Sequence, residues 1–184
     1  NNLLKKIGRT HNEAQVYDSI ERLKKAGFEN ITIDLIYALP GQTMEMVKSD
    51  VDKFLALDLP HVALYSLILE DHTVFMNRQR RGLLRLPSED KNADMYEYIM
   101  DILAQHGYQH YEVSNFGRPG FESKHNITYW DNEEYYGIGA GASGYLAGIR
   151  YKNLGPVHHY LKAAPTEKRI NEEVLSKKSQ IEEE

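Results

Sequence analysis

The feature that most constrains the fold is an acid near the end of a buried strand, followed at once by a Pro-Gly turn. Ile31, Ile33 and Leu35 form one face of this strand, so Asp34 points to the other side, toward a barrel interior if helices cover the apolar face. The turn at residues 40–43 (PGQT) leads into a helical pattern. Ligands of β/α folds lie at the carboxyl ends of the strands, so this position favours a binding residue. The alternative is that Asp34 caps the turn.

Composition excludes several classes of protein. The 184 residues suit one domain or part of a larger one, and 41% hydrophobic residues suffice for a core. No stretch approaches the roughly 20 apolar residues of a membrane span. The net charge is −5 without a basic stripe, so nucleic acid is not an expected partner. The sequence has no cysteine and its start does not resemble a signal peptide, so we expect a cytoplasmic protein.

Helix and strand patterns alternate in the first part of the chain. A capping box at residues 10–13 predicts a helix that Gly27 ends, and a strand is predicted at residues 30–36. Thr43 is placed to cap a second helix, and residues 61–69 read as a second strand. Strands about 30 residues apart imply a parallel pair joined by a right-handed crossover.

The rest of the chain is less regular. An arginine-rich excursion precedes a long helix from about residue 88 to residue 106, and residues 111–114 read as a short third strand. Aromatic residues, glycine and histidine crowd together after residue 115 without helical periodicity, which predicts a structured loop or small sheet. We expect three parts: barrel to residue 114, a Gly/aromatic-rich loop and small sheet at 115–166, and the start of a truncated helical region at 167–184. We also expect the chain to be a piece of a longer protein.

Five blocks, matching in order and spacing over almost the whole chain, resemble the radical S-adenosylmethionine (SAM) family that contains haem chaperones and oxygen-independent coproporphyrinogen III oxidases. The blocks are residues 7–12 (IGRTHN), 34–43 (DLIYALPGQT), 111–116 (YEVSNF), 125–130 (HNITYW) and 137–142 (GIGAGA). The fourth block resembles the chaperone branch, since the oxidase branch lacks it. The resemblance implies an α/β fold, part of a (β/α)6 partial TIM barrel followed by a small mixed α+β segment.

The same resemblance implies a [4Fe-4S] cluster and SAM at the carboxyl end of the barrel. The family's Cys-x-x-x-Cys-x-x-Cys motif, which ligates the cluster, is expected upstream, because this sequence contains no cysteine. The chain alone therefore cannot ligate the cluster with thiolates.

Four residues resemble the family's SAM contacts. Arg9 corresponds to the arginine that meets the methionine end of SAM, and Asp34 to the acid that binds the ribose hydroxyls. Ile36 and Ile68 correspond to apolar positions packed on the adenine. A carboxylate can accept both diol protons, and a guanidinium matches a carboxylate. The alternatives are that Arg9 is a solvated charge and that Ile68 is an ordinary core residue.

The block at residues 125–130 places a histidine beside large rings. Neutral imidazole is a common ligand of haem iron and aromatic faces cover a macrocycle, so His125, with Tyr129 and Trp130, is the candidate haem site. The alternative is a hydrogen-bonded loop histidine with Trp130 anchoring the core. The pair His158-His159 is not favoured as a metal site, because neighbouring side chains diverge. The other histidines read as surface residues.

Residues 139–144 (GAGASG) match the dinucleotide pattern G-x-G-x-x-G, but we reject that interpretation. The pattern requires a helix to start within it, whereas residues 145–151 read as a strand. The glycines are better explained by a backbone that passes close to a flat ligand or to another strand.

The sequence therefore predicts a haem chaperone that binds haem and SAM and passes haem to an unknown acceptor protein. One alternative is an oxidase that decarboxylates coproporphyrinogen III, and another is a structural or interaction module without catalysis. No catalytic residue and no metal ligand is assigned in this chain. Because strands flanking residues 30–36 are expected to be missing, the exposed edge predicts self-association.

Overall fold

The structure of the chain is a computed structural model that describes residues 2–69, 71 and 73–179. Two compact units follow each other, Asn1–Glu122 and Ser123–Glu184, and each contains one sheet. The last residues of the expected helical region, 180–184, lie outside the described residues. Within the described residues no helix is both long and apolar enough to cross a membrane.

The first unit alternates helices and strands as predicted, and it ends in a short hairpin. Its elements are α1 (Asn2–Lys6), α2 (Glu13–Lys25), β1 (Thr32–Tyr37), α3 (Met44–Ala56), β2 (His61–Ser66), α4 (Val74–Arg80), α5 (Glu89–Gln105), β3 (Gln109–Glu112) and β4 (Asn115–Gly117).

The sheet of the first unit has the order β1-β2-β4-β3. β1 and β2 are parallel, with Thr32 beside His61, so the predicted crossover through α3 is confirmed. The third strand differs from the prediction in its bounds, because β3 spans Gln109–Glu112 instead of residues 111–114. It pairs antiparallel with β4, which in turn pairs antiparallel with β2. Only two residues separate β3 from β4, too few for a parallel crossover. Residues 115–117 therefore belong to this first sheet.

The core lies between the sheet and the helices that cover one of its faces. Ile33 and Leu35 of β1 pack on this core, where Phe54 of α3 and Ile99 of α5 are 1% and 2% exposed. The helices are amphipathic, with buried residues at helical spacing such as Met95, Ile99 and Leu103 in α5. Burying these side chains is what fixes the helices against β1 and β2.

Side-chain caps start the main helices. Thr43 caps α3, as the sequence predicts, and Ser88 caps α5 at the predicted start of the long helix. At α2 the predicted box is shifted, because Asn12 is the cap and Gln15, not Glu13, completes the reciprocal pair.

The arginine-rich excursion contains a helix that the sequence analysis missed. Thr73 caps α4, its hydroxyl accepting a hydrogen bond from the Met76 N–H at 3.2 Å. Gly82, at φ +69°, ends the helix, and the Leu83 N–H returns to the carbonyl of Arg78 at 2.9 Å. This is a Schellman turn, which requires a left-handed residue after the helix.

The second unit consists of α6 (Lys124–Trp130), β5 (Ser143–Leu146), β6 (Ile149–Asn153), α7 (Val157–Lys162), a 3-10 turn at Pro165–Glu167, and β7 (Arg169–Val174). Two expectations were wrong here, because residues 124–130 are helical and residues 169–174 form the third strand of a sheet in the order β5-β6-β7. The strand expected at residues 145–151 is present but divided, because the chain turns at Ala147 and Gly148 between β5 and β6. The charged segment folds as a strand because β6 offers it an open edge.

Candidate functional site

The face of the first sheet opposite the core carries the predicted SAM residues on β1. Asp34 is exposed there, and Ile36 follows on the same face because successive side chains of a strand alternate. In the register of the parallel pair, Asp34 lies beside Ala63 and Ile36 beside Tyr65. The orientation predicted for Asp34, away from the covering helices, is confirmed.

The turn after β1 is held by Gln42 rather than by Asp34. The Gln42 side chain is 7% exposed, accepts from the Leu39 N–H at 3.1 Å and donates to Asp50 Oδ2 at 3.4 Å. Burial raises the pKa of the Asp50 carboxyl above its ordinary value. Asp34 accepts no hydrogen bond from the described part of the chain, so its carboxylate is available to a ligand.

The other two predicted SAM residues lie outside the strands. Arg9 precedes α2, with its N–H donating to the Leu4 carbonyl at 2.9 Å and its side chain exposed. Ile68 lies beyond the end of β2 and is 77% exposed, so the core alternative for it is wrong. The Leu67 N–H donates to the Tyr37 carbonyl at 3.0 Å, which keeps this segment next to the end of β1.

A buried histidine on the same face escaped the sequence analysis. His61 is 5% exposed, so its interpretation as a surface residue was wrong. Its Nδ1 lies 2.7 Å from Thr32 Oγ1 and its Nε2 lies 2.7 Å from the Tyr111 hydroxyl. Burial lowers the pKa of His61, against the opposing charges of Glu112 and Asp34. The imidazole is therefore held neutral between two hydroxyl groups.

Strand register is the signal that could have predicted the contact between His61 and Thr32. In a parallel pair, residues in register point to the same side of the sheet, and His61 is paired with Thr32. Asn115 of β4 is paired with Ala63, and its side chain donates to the Glu112 carboxylate. This sheet face is therefore polar beside Asp34, which suits a ligand with hydroxyl groups.

The predicted haem residues lie on α6 in the second unit. The Tyr129 hydroxyl is 3.1 Å from His125 Nε2, and the two rings meet edge to face with centroids 4.8 Å apart. Tyr135 continues the row at 4.5 Å from Tyr129. Trp130 is 54% exposed, so it does not anchor a core as the alternative interpretation required. The helix thus presents an exposed imidazole among accessible rings.

The glycine segment of the second unit is closely packed. The Asn153 side chain, 4% exposed, donates to the carbonyls of Gly137 and Gly139 at 3.0 and 2.8 Å. The Gly137 N–H donates to the Tyr151 hydroxyl at 3.0 Å, and a Cβ on Gly144 would lie 2.3 Å from the Tyr151 ring. Of the glycines in the rejected dinucleotide pattern, Gly144 therefore allows a close approach to the neighbouring strand, whereas a Cβ on Gly139 or Gly141 would meet nothing within 4 Å. The segment leads into β5, a strand, and not into a helix.

The rings of His158 and His159 have centroids 4.0 Å apart. Among residues 2–69, 71 and 73–179, no group of three or more His, Asp or Glu side chains could hold a metal ion.

Comparison with known proteins gives the family. The model of the radical SAM superfamily matches residues 1–54. The chain is 94% identical over all 184 residues to the heme chaperone HemW of Lactococcus lactis, and 50% identical over 159 residues to the heme chaperone HemW of Bacillus subtilis. This chain belongs to the HemW family of the radical SAM superfamily. The family resemblance found in the sequence is confirmed.

Coverage and fold add two further facts. The chain spans 48% of the length of the Lactococcus HemW and 42% of that of the Bacillus HemW. The fold is similar, at a TM-score of 0.78 and 18% identity, to the Escherichia coli coproporphyrinogen III oxidase HemN, described as a radical SAM enzyme; the match covers 99% of this chain and 45% of HemN. The predicted α/β radical SAM fold is therefore confirmed for this part of the HemW family.

The family implies SAM and a [4Fe-4S] cluster, and the residues present fit only one of them. The exposed Asp34 carboxylate and the polar sheet face suit the ribose of SAM. Cluster ligands are thiolates, and the sequence contains no cysteine. Within these 184 residues the cluster has no such ligand.

Proposed function

We propose that this chain is the part of a haem chaperone that binds SAM and haem, with the haem passed on to an acceptor protein. The observation that carries the proposal is the 94% identity over the whole chain to the Lactococcus heme chaperone HemW. The site geometry supports it in both units, because each presents an accessible side chain of the chemistry required.

In the first unit, SAM is held by its ribose and its adenine. The Asp34 carboxylate has unused acceptor capacity and can receive both ribose hydroxyls. Ile36 on the same face and Ile68 near the end of the neighbouring strand offer apolar surface to the adenine. Arg9 supplies the positive charge for the carboxylate of the methionine end. These residues bind and orient SAM, and the cluster would add redox chemistry in a longer protein.

In the second unit, His125 is the proposed ligand of haem iron. Its Nε2 now meets the Tyr129 hydroxyl at 3.1 Å, so iron ligation through Nε2 requires that contact to break. The contact is exposed and its loss is readily offset by water. Tyr129 and Trp130, 45% and 54% exposed, provide aromatic surface for the macrocycle.

The oxidase alternative rests on the likeness to HemN, which at 18% identity shows the fold alone. The block at residues 125–130 favours the chaperone branch instead. A structural module without catalysis would bind neither ligand.

One titration separates these functions. Haemin is added to the 184-residue chain and to a cysteine-containing full-length form, and the Soret band is recorded. The proposal predicts a histidine-type Soret shift in both. A shift in neither would contradict haem binding, and turnover of coproporphyrinogen III by the full-length form without haem binding would favour the oxidase.

A further inference from the structure

A row of four side chains crosses the open face of the first sheet, and it contains a buried amide that the SAM assignment above does not use. Asp34 is in register with Ala63, Ala63 with Asn115, and Asn115 with Glu112. Residues in register point to the same side of a sheet, so all four share the face of Asp34. A register shift between His110 and Glu112 sets the last of these pairs. The whole row belongs to the first unit.

The orientation of the Asn115 amide is fixed by Glu112. The Nδ2 group of Asn115 donates to Glu112 Oε1, and the other carboxylate oxygen accepts from the Ser114 N–H at 3.2 Å. An ionised carboxylate only accepts hydrogen bonds, so the amide nitrogen and not the amide oxygen must face it. The Oδ1 atom of Asn115 is therefore turned away from Glu112.

The Asn115 oxygen is open to a ligand although its residue is buried. Asn115 is 4% exposed, and no donor in the described part of the chain reaches its Oδ1. Among the described residues no fully buried side-chain oxygen or nitrogen lacks a partner, so this oxygen is in contact with solvent. A buried amide with one outward-facing acceptor suits a ligand that brings an N–H donor.

The distance from Asp34 indicates which donor this is. Asp34 and Asn115 are two strand spacings apart, about 10 Å between backbones at about 4.8 Å per spacing. A nucleoside whose ribose hydroxyls meet Asp34 extends its base over a similar length. The side chain between them is the small Ala63, which leaves room for a flat base. The amino group of adenine is a donor at the edge of that base, and asparagine is a usual partner for it.

We propose that Asn115 determines the base specificity of the SAM site, its Oδ1 accepting a hydrogen bond from the exocyclic amino group of adenine. Glu112 is the positioning residue that keeps this oxygen facing the ligand. The proposal rests on the proposed binding of SAM and adds to it the residue that recognises the base. A base with a carbonyl oxygen in place of the amino group would bring two acceptors together, so the site disfavours it.

The test uses two ligands, S-adenosylhomocysteine and S-inosylhomocysteine, in which a carbonyl oxygen replaces the adenine amino group. Both are titrated by calorimetry into the cysteine-containing full-length form. We expect the unaltered protein to bind the adenine ligand roughly tenfold more tightly or better. Asn115→Leu keeps a similar volume without a polar atom, so it should bind the adenine ligand more weakly and no longer distinguish the two.

A second variant, Glu112→Gln, tests the positioning role through a gain of affinity. The new amide can face Asn115 with either its oxygen or its nitrogen, so the Asn115 amide is free to turn over and donate to the inosine carbonyl. The inosine ligand should therefore bind more tightly to this variant than to the unaltered protein. Damage to the fold cannot produce such a gain. Glu97→Gln, which alters an exposed carboxylate of α5, is the matched control and should keep the original preference.

Equal affinities of the two ligands for the unaltered protein would overturn the proposal and leave SAM binding standing. A preference for adenine that persisted in Asn115→Leu would assign the base to another group and also overturn it. Absence of any gain for the inosine ligand in Glu112→Gln would overturn the role of Glu112. If neither these ligands nor SAM bound to any form, the proposed SAM binding would fail first, and this inference with it.

Discussion

Thr32 and His61, the first residues of two parallel strands, are joined by a contact of 2.7 Å between Oγ1 and Nδ1. The opposite ring nitrogen of His61 meets the Tyr111 hydroxyl at the same distance, so one imidazole links β1, β2 and β3. These two contacts cross the sheet on the face that carries Asp34. Burial lowers the pKa of His61, so burial favours the neutral form of this ring.

The first prediction concerns the pH dependence of stability. The ordinary pKa of His61 is 6.5 and the folded value is lower, so the unfolded chain takes up the proton first as pH falls. The contribution of His61 to the free energy of unfolding is complete above pH 6.5. It is lost as the pH falls below 6.5 toward the pKa that His61 has in the folded chain. Replacing His61 with Gln should cost about 1–3 kcal/mol at neutral pH and flatten this dependence.

Urea unfolding between about pH 5 and pH 8 checks this prediction, with His106→Gln as the control because His106 is an exposed histidine of the same unit. If the free energy of unfolding of the His61→Gln variant changed with pH as much as that of the unaltered chain, another group would produce the pH dependence.

A second prediction concerns close packing in the second unit. A Cβ at Gly137 would lie 2.6 Å from the backbone of Ser143, which cannot move as a side chain can. Gly137→Ala should therefore destabilise this unit by about 1–3 kcal/mol. At Gly155 the nearest contact of an added Cβ is 3.8 Å, so Gly155→Ala is the matched control in thermal unfolding. Equal losses in both variants would refute this account of Gly137.

Local signals in the sequence predicted the first half of the fold. The alternation around Asp34, the cap Thr43 and the terminating Gly27 each depend on neighbouring residues, and the structure contains all of them. The parallel pairing of β1 and β2 followed from the crossover length.

Features set by distant contacts could not be predicted in this way. The burial of His61 depends on its register against Thr32, which lies 29 residues away along the chain. The helix α6 has seven residues, too few to show a period, and the strand β7 forms only because β6 offers an edge. Asp34, in contrast, could be placed from the alternation of its own strand.

The third prediction concerns SAM. Asp34→Asn in the full-length form should weaken SAM binding by roughly 1.5–3 kcal/mol, the range for a hydrogen bond to a charged group. Asp52→Asn removes an exposed carboxylate from α3 and is the control. Isothermal calorimetry that gave equal affinities for the Asp34 variant and the unaltered protein would exclude Asp34 from the site.

The fourth prediction concerns the edge of the first sheet. β1 lies at the end of the strand order. The groove beside it is lined by the apolar residues Val16, Ile20, Leu23, Ile31 and Ile33 together with His11, Gln15, Ser19 and Thr32. An open strand edge next to apolar surface recruits other chains. The isolated 184-residue chain should therefore be dimeric or prone to aggregation. Light scattering that showed a stable monomer at tens of micromolar would contradict this, as would a full-length form that associated equally.

The fifth prediction tests haem binding at α6. His125→Ala should lower haemin affinity or change the iron spin state while SAM binding stays intact. Tyr129→Phe removes the hydroxyl that now meets His125 Nε2, so it should bind haemin at least as tightly as the unaltered chain. His106→Ala, which removes an exposed histidine of the other unit, is the control.

The most direct measurement is the haemin titration of the unaltered chain beside the His125→Ala variant, followed by the Soret band and the spin state. We expect a histidine-ligated spectrum in the unaltered chain that is lost or altered only when His125 is replaced. An identical spectrum and titration in the two proteins would contradict the account, because His125 would then be a surface histidine of α6 and not the ligand of haem iron.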